Sequence, residues 1–232
     1  MNSIDFTHHT RHAVLIDLDG TLVDSAPDIV EAVRRLLLDL HAAPLSFDTV
    51  RGFIGHGVPT LIRRVLRASA LTHIDEVLAL ALFQRHYRDT NGRYGDVYPG
   101  VRAGLAALQG AGYRLGCVTN KFYEASVALL DIHALAPWFE VVVGGDTLSQ
   151  MKPAAEPLLH ACRALHARLD RCVLVGDSHV DIAAARAAQM PVFIVRYGYP
   201  GPEGHAAMAC DGFIDSLEEL PAMLDAANQG RQ

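Results

Sequence analysis

Two aspartates, Asp17 and Asp19, follow directly after an apolar run, and their carboxylates could take part in chemistry that needs a cation. Other polar residues also stand just behind apolar runs or in a nearby loop: Thr119, Asn120, Lys152, Asp177, Ser178 and Asp181. In an open parallel sheet, ligands bind at the carboxyl ends of the strands. We therefore expect these side chains to meet at one edge of a sheet.

Carboxylates gathered at one edge repel one another unless a cation lies among them. Mg²⁺ fits best, because it takes few protein oxygens and leaves coordination positions for water and a substrate phosphate. The sequence therefore predicts Mg²⁺ as the cofactor.

The elements that must position these residues follow from the apolar pattern. Short runs rich in Val, Ile and Leu are typical of buried strands, and apolar residues spaced three and four apart indicate helices. The predicted strands are 13–17, 114–119, 139–143, 172–176 and 192–195, and the helices between the later ones are 121–132, 155–167 and 178–188. Alternating strands and helices predict an α/β fold, a Rossmann-like parallel sheet with helices on both faces.

A long insertion separates the first strand from the second, and its periodic segments all read as helix. The predicted helices are 27–40, 47–54, 58–70 and 74–93. We therefore predict two domains, a catalytic core of residues 1–24 and 95–232 and an all-helical cap domain of residues 25–94. Asp24 and Ser25, where the chain enters the cap, are predicted to act as a hinge or helix cap, and Lys121 as a surface residue at a helix N-terminus.

The composition of the chain limits the classes of partner that it could bind. A net charge of −6 and a pI of about 6.0 disfavour nucleic acid. No apolar run approaches the roughly 20 residues that span a bilayer. The first eleven residues lack the pattern of a secretory signal, so we predict a cytoplasmic protein without a membrane partner. A cap with nine arginines and seven acids, beside an acidic core, favours a small anionic phosphorylated metabolite as substrate. No oligomeric state is predicted.

Four segments carry a family resemblance. The segment 17–25 (DLDGTLVDS), the triplet 118–120 (VTN), the pair Lys152-Pro153 and the segment 176–181 (GDSHVD) occur in this order. Together they resemble the four motifs of haloacid dehalogenase superfamily phosphatases. The resemblance extends from about Ala13 to Leu224, and the long insertion corresponds to the helical cap of that family.

The resemblance implies a role for each matching residue. Asp17 would attack phosphorus and form an aspartyl-phosphate, and Asp19 would protonate the leaving alcohol and then activate water. Thr119, Asn120 and Lys152 would bind the phosphate. The metal would lie among Asp17, the Asp19 carbonyl and Asp177, with Ser178 and Asp181 in support.

Within the superfamily, the cap loop 51–61 (RGFIGHGVPTL) resembles that of phosphoglycolate phosphatases, as do segments 24–28 and 197–199. This implies hydrolysis of 2-phosphoglycolate to glycolate and phosphate. Glycines in the loop would bring backbone over the leaving group, and His56 or a nearby arginine would meet its carboxylate. The specificity residues expected from this comparison are Arg51, Gly55, His56 and Gly57.

Several alternatives stay open on the sequence. Another small metabolite, such as a sugar phosphate or pyrophosphate, could be the substrate, and a phosphomutase shares the same acids. A receiver-like signalling domain gathers similar residues, although the placement of Asp17 and Asp19 on the first strand argues against it, and intact acids argue against a silent binding protein. Asp19 disfavours a dehalogenase, and a cap without lysine disfavours an imine-forming phosphonate hydrolase.

Overall fold

The computed structural model describes residues 12–201 and 204–229. Within these residues, six strands form one parallel sheet in the order β5-β4-β1-β6-β7-β8. Its strands are β1 (Ala13–Ile16), β4 (Arg114–Val118), β5 (Val141–Val143), β6 (Cys172–Gly176), β7 (Val192–Val195) and β8 (Gly212–Ile214). The predicted absence of a secretory signal concerns residues 1–11, which lie outside the described part.

Helices cover both faces of this sheet, as the fold prediction requires. They are α5 (Val101–Gly110), α6 (Tyr123–Ile132), α7 (Glu156–Ala164), α8 (His179–Ala187) and α9 (Leu220–Gln229). Successive strand residues point to opposite faces, so Val14 and Ile16 of β1 pack in one core and Leu15 in the other. Because β1 is buried on both faces and lies near the centre of the sheet, Asp17 at its end has a rigid base.

Two predicted strands, 13–17 and 114–119, each end one residue earlier in the structure, and two larger differences concern the third strand and the edge of the sheet. The third predicted strand, 139–143, starts later, at Val141, because Trp138 and Phe139 belong to a short 3₁₀ turn and its exit. The edge strand β8 was not predicted. It has three residues and begins with glycine, so its pattern resembles a turn.

The cap, residues 25–94, folds as four helices: α1 (Ala26–Asp39), α2 (Phe47–Arg51), α3 (Val58–Ala68) and α4 (Glu76–Thr90). Their apolar faces form a third core that is distinct from the two cores of the sheet. Phe83 and Tyr87 of α4 stack in it with ring centroids 5.3 Å apart. The prediction of an all-helical insertion is confirmed, whereas the behaviour of the cap as a separate domain stays a prediction.

Two short antiparallel strands, β2 (Val23–Asp24) and β3 (Asp96–Val97), join the cap to the sheet. Buried Asp28, in the first turn of α1, binds the chain just before β3. Its carboxylate accepts four backbone N–H bonds, from Gly92, Arg93, Tyr94 and Gly95, at 2.7–3.3 Å. The side chain of Asp28 therefore links the chain segment that enters the cap to the segment that leaves it.

Replacing Asp28 with alanine is expected to lower the free energy of unfolding by about 2–4 kcal/mol, because several backbone donors lose their acceptor inside the protein. Urea denaturation followed by circular dichroism measures the change. Glu31→Ala, three residues on in the same helix, is the matched control, since its carboxylate binds only solvent-accessible Arg34 and Arg35. An equal loss in both variants would contradict the special role of Asp28.

No helix within the described residues is both long enough and apolar enough to cross a membrane.

Candidate active site

Asp17 is the central residue of the sheet edge. Its backbone N–H continues the ladder of β1 by donating to the Val175 carbonyl at 2.9 Å. Its side chain turns out of the sheet, where Oδ1 accepts a bond from the Leu18 N–H at 2.7 Å and lies 3.0 Å from Lys152 Nζ. Asp17 is only 8% exposed, so a reactant reaches it through a cavity and not from the open surface.

Three buried carboxylates, those of Asp17, Asp177 and Asp181, face one another with oxygen atoms within 4.8 Å. Burial raises the pKa of Asp17 to about 7, although Lys152 opposes the rise. Burial also raises the pKa of Asp177 well above its ordinary value, with Asp181 and Asp17 adding to the effect. Buried, mutually repelling oxygen ligands of this kind fit a hard divalent cation.

Both carboxylate oxygens of Asp181 are hydrogen-bonded within the protein, so this residue mainly fixes the positions of its neighbours. Its Oδ1 accepts a bond from Lys152 Nζ at 2.7 Å, and its Oδ2 accepts one from Ser178 Oγ at 2.7 Å. Ser178 and Asp181 also form a reciprocal cap at the start of α8. The start of α8 therefore holds the carboxylate of Asp181 against Lys152.

Lys152 is buried at 2% exposure and touches both Asp17 and Asp181. Burial alone would lower the pKa of Lys152, but the two carboxylates outweigh burial, and the pKa rises. The ammonium is therefore charged and holds two carboxylates in fixed positions.

Asp19 belongs to a second network, apart from the three carboxylates. Its Oδ1 accepts bonds from Lys121 Nζ at 2.8 Å and from Ser25 Oγ at 2.5 Å. Lys121 Nζ also donates to the hydroxyl of Tyr87, which comes from α4 of the cap. The Asp19 carboxylate is thus not part of the group formed by Asp17, Asp177 and Asp181, and the part of Asp19 expected near a metal is its backbone carbonyl.

The prediction for Lys121 in this second network is wrong. Lys121 was predicted to be a surface residue, yet it is 5% exposed and its ammonium lies over the ring of Tyr87. Ser25 lies at the N-cap position of α1, but its side chain makes no capping bond and binds Asp19 instead, so its predicted capping role is wrong, and its role as a hinge stays a prediction. The available signal was composition, since Lys121 and Lys152 are the only lysines in the sequence beside eighteen arginines.

Thr119 and Asn120 follow β4 and lie beside Asp17. Thr119 donates its backbone N–H to the Val143 carbonyl, which extends the ladder to β5 by one residue. The side-chain amide of Asn120 donates to the Gly55 carbonyl at 3.0 Å and to the Lys152 carbonyl at 2.8 Å. Asn120 therefore joins a loop of the cap to the loop that carries Lys152.

A cavity above these residues is here called the Asp17 pocket, and its empty space of about 490 Å³ includes open solvent at the mouth. The cap provides most of its apolar wall and the sheet edge its polar floor. Its lining residues are Asp17, Asp19, Ile29, Ile54, Gly55, Gly57, Val58, Leu61, Phe83, Tyr87, Thr119, Asn120 and Lys121. Two of the expected specificity residues, Gly55 and Gly57, therefore line the pocket.

The other two expected specificity residues lie outside this lining. Arg51 is exposed and pairs with Asp48 at 3.0 Å, and its guanidinium lies over the ring of Phe47. His56 lines a different cavity, together with Arg64. The contact of His56 or a nearby arginine with the carboxylate of a leaving group therefore stays a prediction, and neither Arg51 nor His56 lines the Asp17 pocket.

Tyr199 is a further site residue that the sequence reasoning did not include. Its backbone N–H donates to Asp177 Oδ2 at 2.6 Å, and its hydroxyl donates to Asp24 Oδ1 and accepts from the Ala26 N–H. The neighbouring Gly198 allows this close approach, since a Cβ there would lie 2.3 Å from Asp177 Cβ. Asp24, predicted as a hinge or cap residue, is therefore linked through Tyr199 to Asp177.

The chain is similar to known proteins over nearly its whole length. A phosphoglycolate phosphatase of Cupriavidus necator is 59% identical over 216 residues, covering 93% of this chain and 94% of the relative. A phosphoglycolate phosphatase of Nitrosospira multiformis is 40% identical over 219 residues, covering 93% and 96%. The crystal structure of a predicted phosphoglycolate phosphatase from Haemophilus somnus superimposes with a TM-score of 0.85 at 27% identity, covering 94% of this chain and 99% of that one.

The family model that matches describes a haloacid dehalogenase-like hydrolase and spans residues 12–189. This range contains the three carboxylates, both lysines and the whole cap. The alternatives of a receiver domain and of a silent binding protein lose their support, because the relatives are phosphatases and the similarity covers nearly their full length. The chain belongs to the haloacid dehalogenase-like hydrolase family.

Proposed function

We propose that this protein is a Mg²⁺-dependent phosphatase that hydrolyses 2-phosphoglycolate to glycolate and phosphate through an aspartyl-phosphate. The observation that carries the proposal is Asp17 itself, a buried carboxylate at the floor of a pocket, with Lys152 at 3.0 Å and two more carboxylates beside it. The similarity to phosphoglycolate phosphatases supports the choice of substrate.

In the first half-reaction, a carboxylate oxygen of Asp17 forms a bond to phosphorus while the bond from phosphorus to the ester oxygen breaks. Asp19, which also lines the pocket, gives a proton to the departing glycolate oxygen. In the second half-reaction, water attacks the phosphorus of the aspartyl-phosphate, Asp19 takes its proton, and the Asp17 carboxylate is restored.

Phosphate binding falls to three residues in the proposal. Lys152 supplies a fixed positive charge, Thr119 its side-chain hydroxyl and Asn120 its backbone N–H, the last two at the end of β4. Asn120 uses its side chain to hold the cap loop and the Lys152 loop together, so only its backbone is left for phosphate. Donors held this rigidly cost little reorganisation when charge develops on the phosphoryl oxygens.

Mg²⁺ would be held by Asp17, the Asp19 carbonyl and Asp177, with Ser178 and Asp181 fixing Lys152 beside them. The close approach of three carboxylate oxygens, together with the raised pKa values, fits such an ion. When bound, it would neutralise charge on the phosphoryl oxygens as a Lewis acid.

The direct test is a substrate panel with purified protein, measuring phosphate release from 2-phosphoglycolate, a hexose phosphate and pyrophosphate with Mg²⁺ and with chelator. We expect kcat/KM for 2-phosphoglycolate to exceed the others by at least about tenfold and to vanish with chelator. A protein that prefers one of the other phosphates would overturn the substrate, and activity that survives chelation would overturn the metal.

The Mg²⁺-induced rise in melting temperature is expected to be larger at pH 8 than at pH 6. The folded pKa of Asp17, about 7, lies above its ordinary value of 3.8, so the folded protein binds the extra proton. Stability from that proton is fully present below pH 3.8 and is lost as pH rises through about 7. Mg²⁺ requires the ionised carboxylate, so its binding compensates this loss most at high pH.

Differential scanning calorimetry at both pH values, with Mg²⁺ and with chelator, measures the effect. Asp17→Asn removes the titrating group and should shrink the difference between the two pH values. A Mg²⁺ shift that is equal at pH 6 and pH 8 in the unaltered protein would contradict the assignment.

A further inference from the structure

The Asp17 pocket has one cationic side chain among its described lining residues, and it is Lys121. Lys152 is not among the lining residues and is held by two carboxylates. None of the cap's arginines lines this pocket, and two of them, Arg51 and Arg85, pair with Asp48 and Asp39. An anionic group on the leaving half of a substrate would therefore meet its opposite charge at Lys121.

Lys121 is built into the site and is not a mobile surface lysine. Its side chain is 3% exposed, and it lies between the sheet edge and the cap, bound to Asp19 and to the Tyr87 hydroxyl. An ammonium has three N–H groups, so two such partners leave donor capacity for a ligand in the pocket. Burial alone would lower the pKa of Lys121, but Asp19 and Tyr87 outweigh it, and the pKa is raised.

The position of Lys121 relative to Asp19 sets the geometry of recognition. In the proposed reaction Asp19 meets the ester oxygen of the substrate, and Lys121 Nζ lies 2.8 Å from Asp19 Oδ1. A carboxylate attached to the carbon that bears the ester oxygen therefore falls beside Lys121. A substrate with an uncharged group at this carbon would leave the ammonium without an anionic ligand partner, in a wall made largely of apolar side chains.

We propose that Lys121 is the specificity-determining residue of the site, and that it binds the carboxylate of the leaving group. The substrate class is then the phosphate esters of 2-hydroxy acids, in which carboxylate and ester oxygen share one carbon. This assignment rests on the proposed phosphatase function and extends it from the phosphate to the other end of the substrate.

The test compares 2-phosphoglycolate with 2-hydroxyethyl phosphate, which has a neutral hydroxymethyl group in place of the carboxylate. For Lys121→Met, kcat/KM for 2-phosphoglycolate is expected to fall by about 10²-fold, since a buried charged partner is removed. The value for 2-hydroxyethyl phosphate should fall by no more than about tenfold. Lys121→Arg should restore part of the preference, because it restores the charge.

Two further measurements distinguish the loss of carboxylate binding from a general disruption of the site. Inhibition by inorganic phosphate should be unchanged in Lys121→Met, whereas inhibition by glycolate should weaken, since only glycolate has the carboxylate. Tyr87→Phe removes the hydroxyl that accepts a hydrogen bond from Lys121 Nζ but keeps the charge of the lysine. This variant should retain the preference for 2-phosphoglycolate.

An equal loss for both substrates in Lys121→Met would overturn the proposal, because Lys121 would then act only through Asp19 or the fold. Retention of the full preference without the lysine would overturn it as well. If the unaltered protein cleaves 2-hydroxyethyl phosphate as well as 2-phosphoglycolate, the proposed substrate fails along with the role of Lys121. If it prefers 2-phosphoglycolate but Lys121→Met keeps that preference, only the role of Lys121 fails.

Discussion

Asparagine in place of Asp17 is expected to reduce kcat for phosphate release by at least about 10⁴-fold, because the amide cannot form the bond to phosphorus. The side chain keeps its size, so the protein should fold. Without Mg²⁺ at pH 8 it should melt no lower than the unaltered protein, since the substitution removes one charge from a buried cluster of three carboxylates.

The measurement is single-turnover phosphate release with 2-phosphoglycolate, accompanied by acid quenching to trap phosphate on the protein. The unaltered protein should show acid-stable labelled phosphate on the chain, and Asp17→Asn should show none. Asp131→Asn, the same change at an exposed site on α6, is the matched control and should be fully active. Labelled protein from Asp17→Asn would assign the nucleophile to another residue.

Methionine in place of Lys152 is expected to destroy activity and also to destabilise the fold. The ammonium is buried and lies within 3.0 Å of Asp17 and 2.7 Å of Asp181, so its loss leaves buried carboxylates without a partner. Removing one partner of a buried ion pair costs about 3–5 kcal/mol. Loss of the fixed positive charge beside the transferring group should lower kcat/KM by about 10³-fold or more.

Denaturant unfolding of Lys152→Met, Asp181→Asn and the double variant separates these two effects. The double variant should recover part of the lost stability, because it removes one of the carboxylates left unpaired, but none of the activity. The stability loss in Lys152→Met should also be smaller at pH 6 than at pH 8, since Asp17 can take up a proton at the lower pH. Arg168→Met breaks an ion pair at the surface and should leave the melting temperature unchanged.

If Lys152→Met loses activity with no loss of stability at pH 8, the buried ion pairs do not hold the site together. Additive stability losses in the double variant would lead to the same conclusion. Either result would limit Lys152 to a direct contact with substrate.

Much of the sheet edge could be predicted because it depends on local sequence. A short run of strand-forming residues becomes a buried strand in such a fold. The polar residue that follows the run then lies at the carboxyl edge of the sheet. Asp17, Thr119 and Asp177 all follow this rule. Lys152 was recognised from its motif, and the structure brings it to Asp17 and Asp181 through a loop whose course the periodicity does not encode.

The second network could not be predicted in the same way, because it depends on contacts between distant segments. Lys121 stands two residues before α6, where a cation is ordinarily solvated, but here it is buried and donates to Asp19 and to Tyr87 of α4. Tyr199 likewise reaches Asp24 from 175 positions away in the sequence.

The cap loop shows a different limit. Its glycines reach the pocket as expected, since their backbone is what counts there. Arg51, the last residue of α2, and His56, in the turn before α3, do not line it, because the direction of a side chain there depends on the local backbone angles and not on spacing. Gly57, for example, has φ 79° just before α3, a value that few other residues adopt.

The distribution of lysines gives the protein an unusual chemical property. Both ε-amines of the chain lie in the site, at 5% and 2% exposure, while the remaining cations are arginines. Reagents that acylate ε-amines at ordinary pH should therefore find little to modify on the outer surface. The rate of ε-amine acylation, followed by mass spectrometry of the two lysine-containing peptides, therefore measures how often the site becomes accessible to solvent.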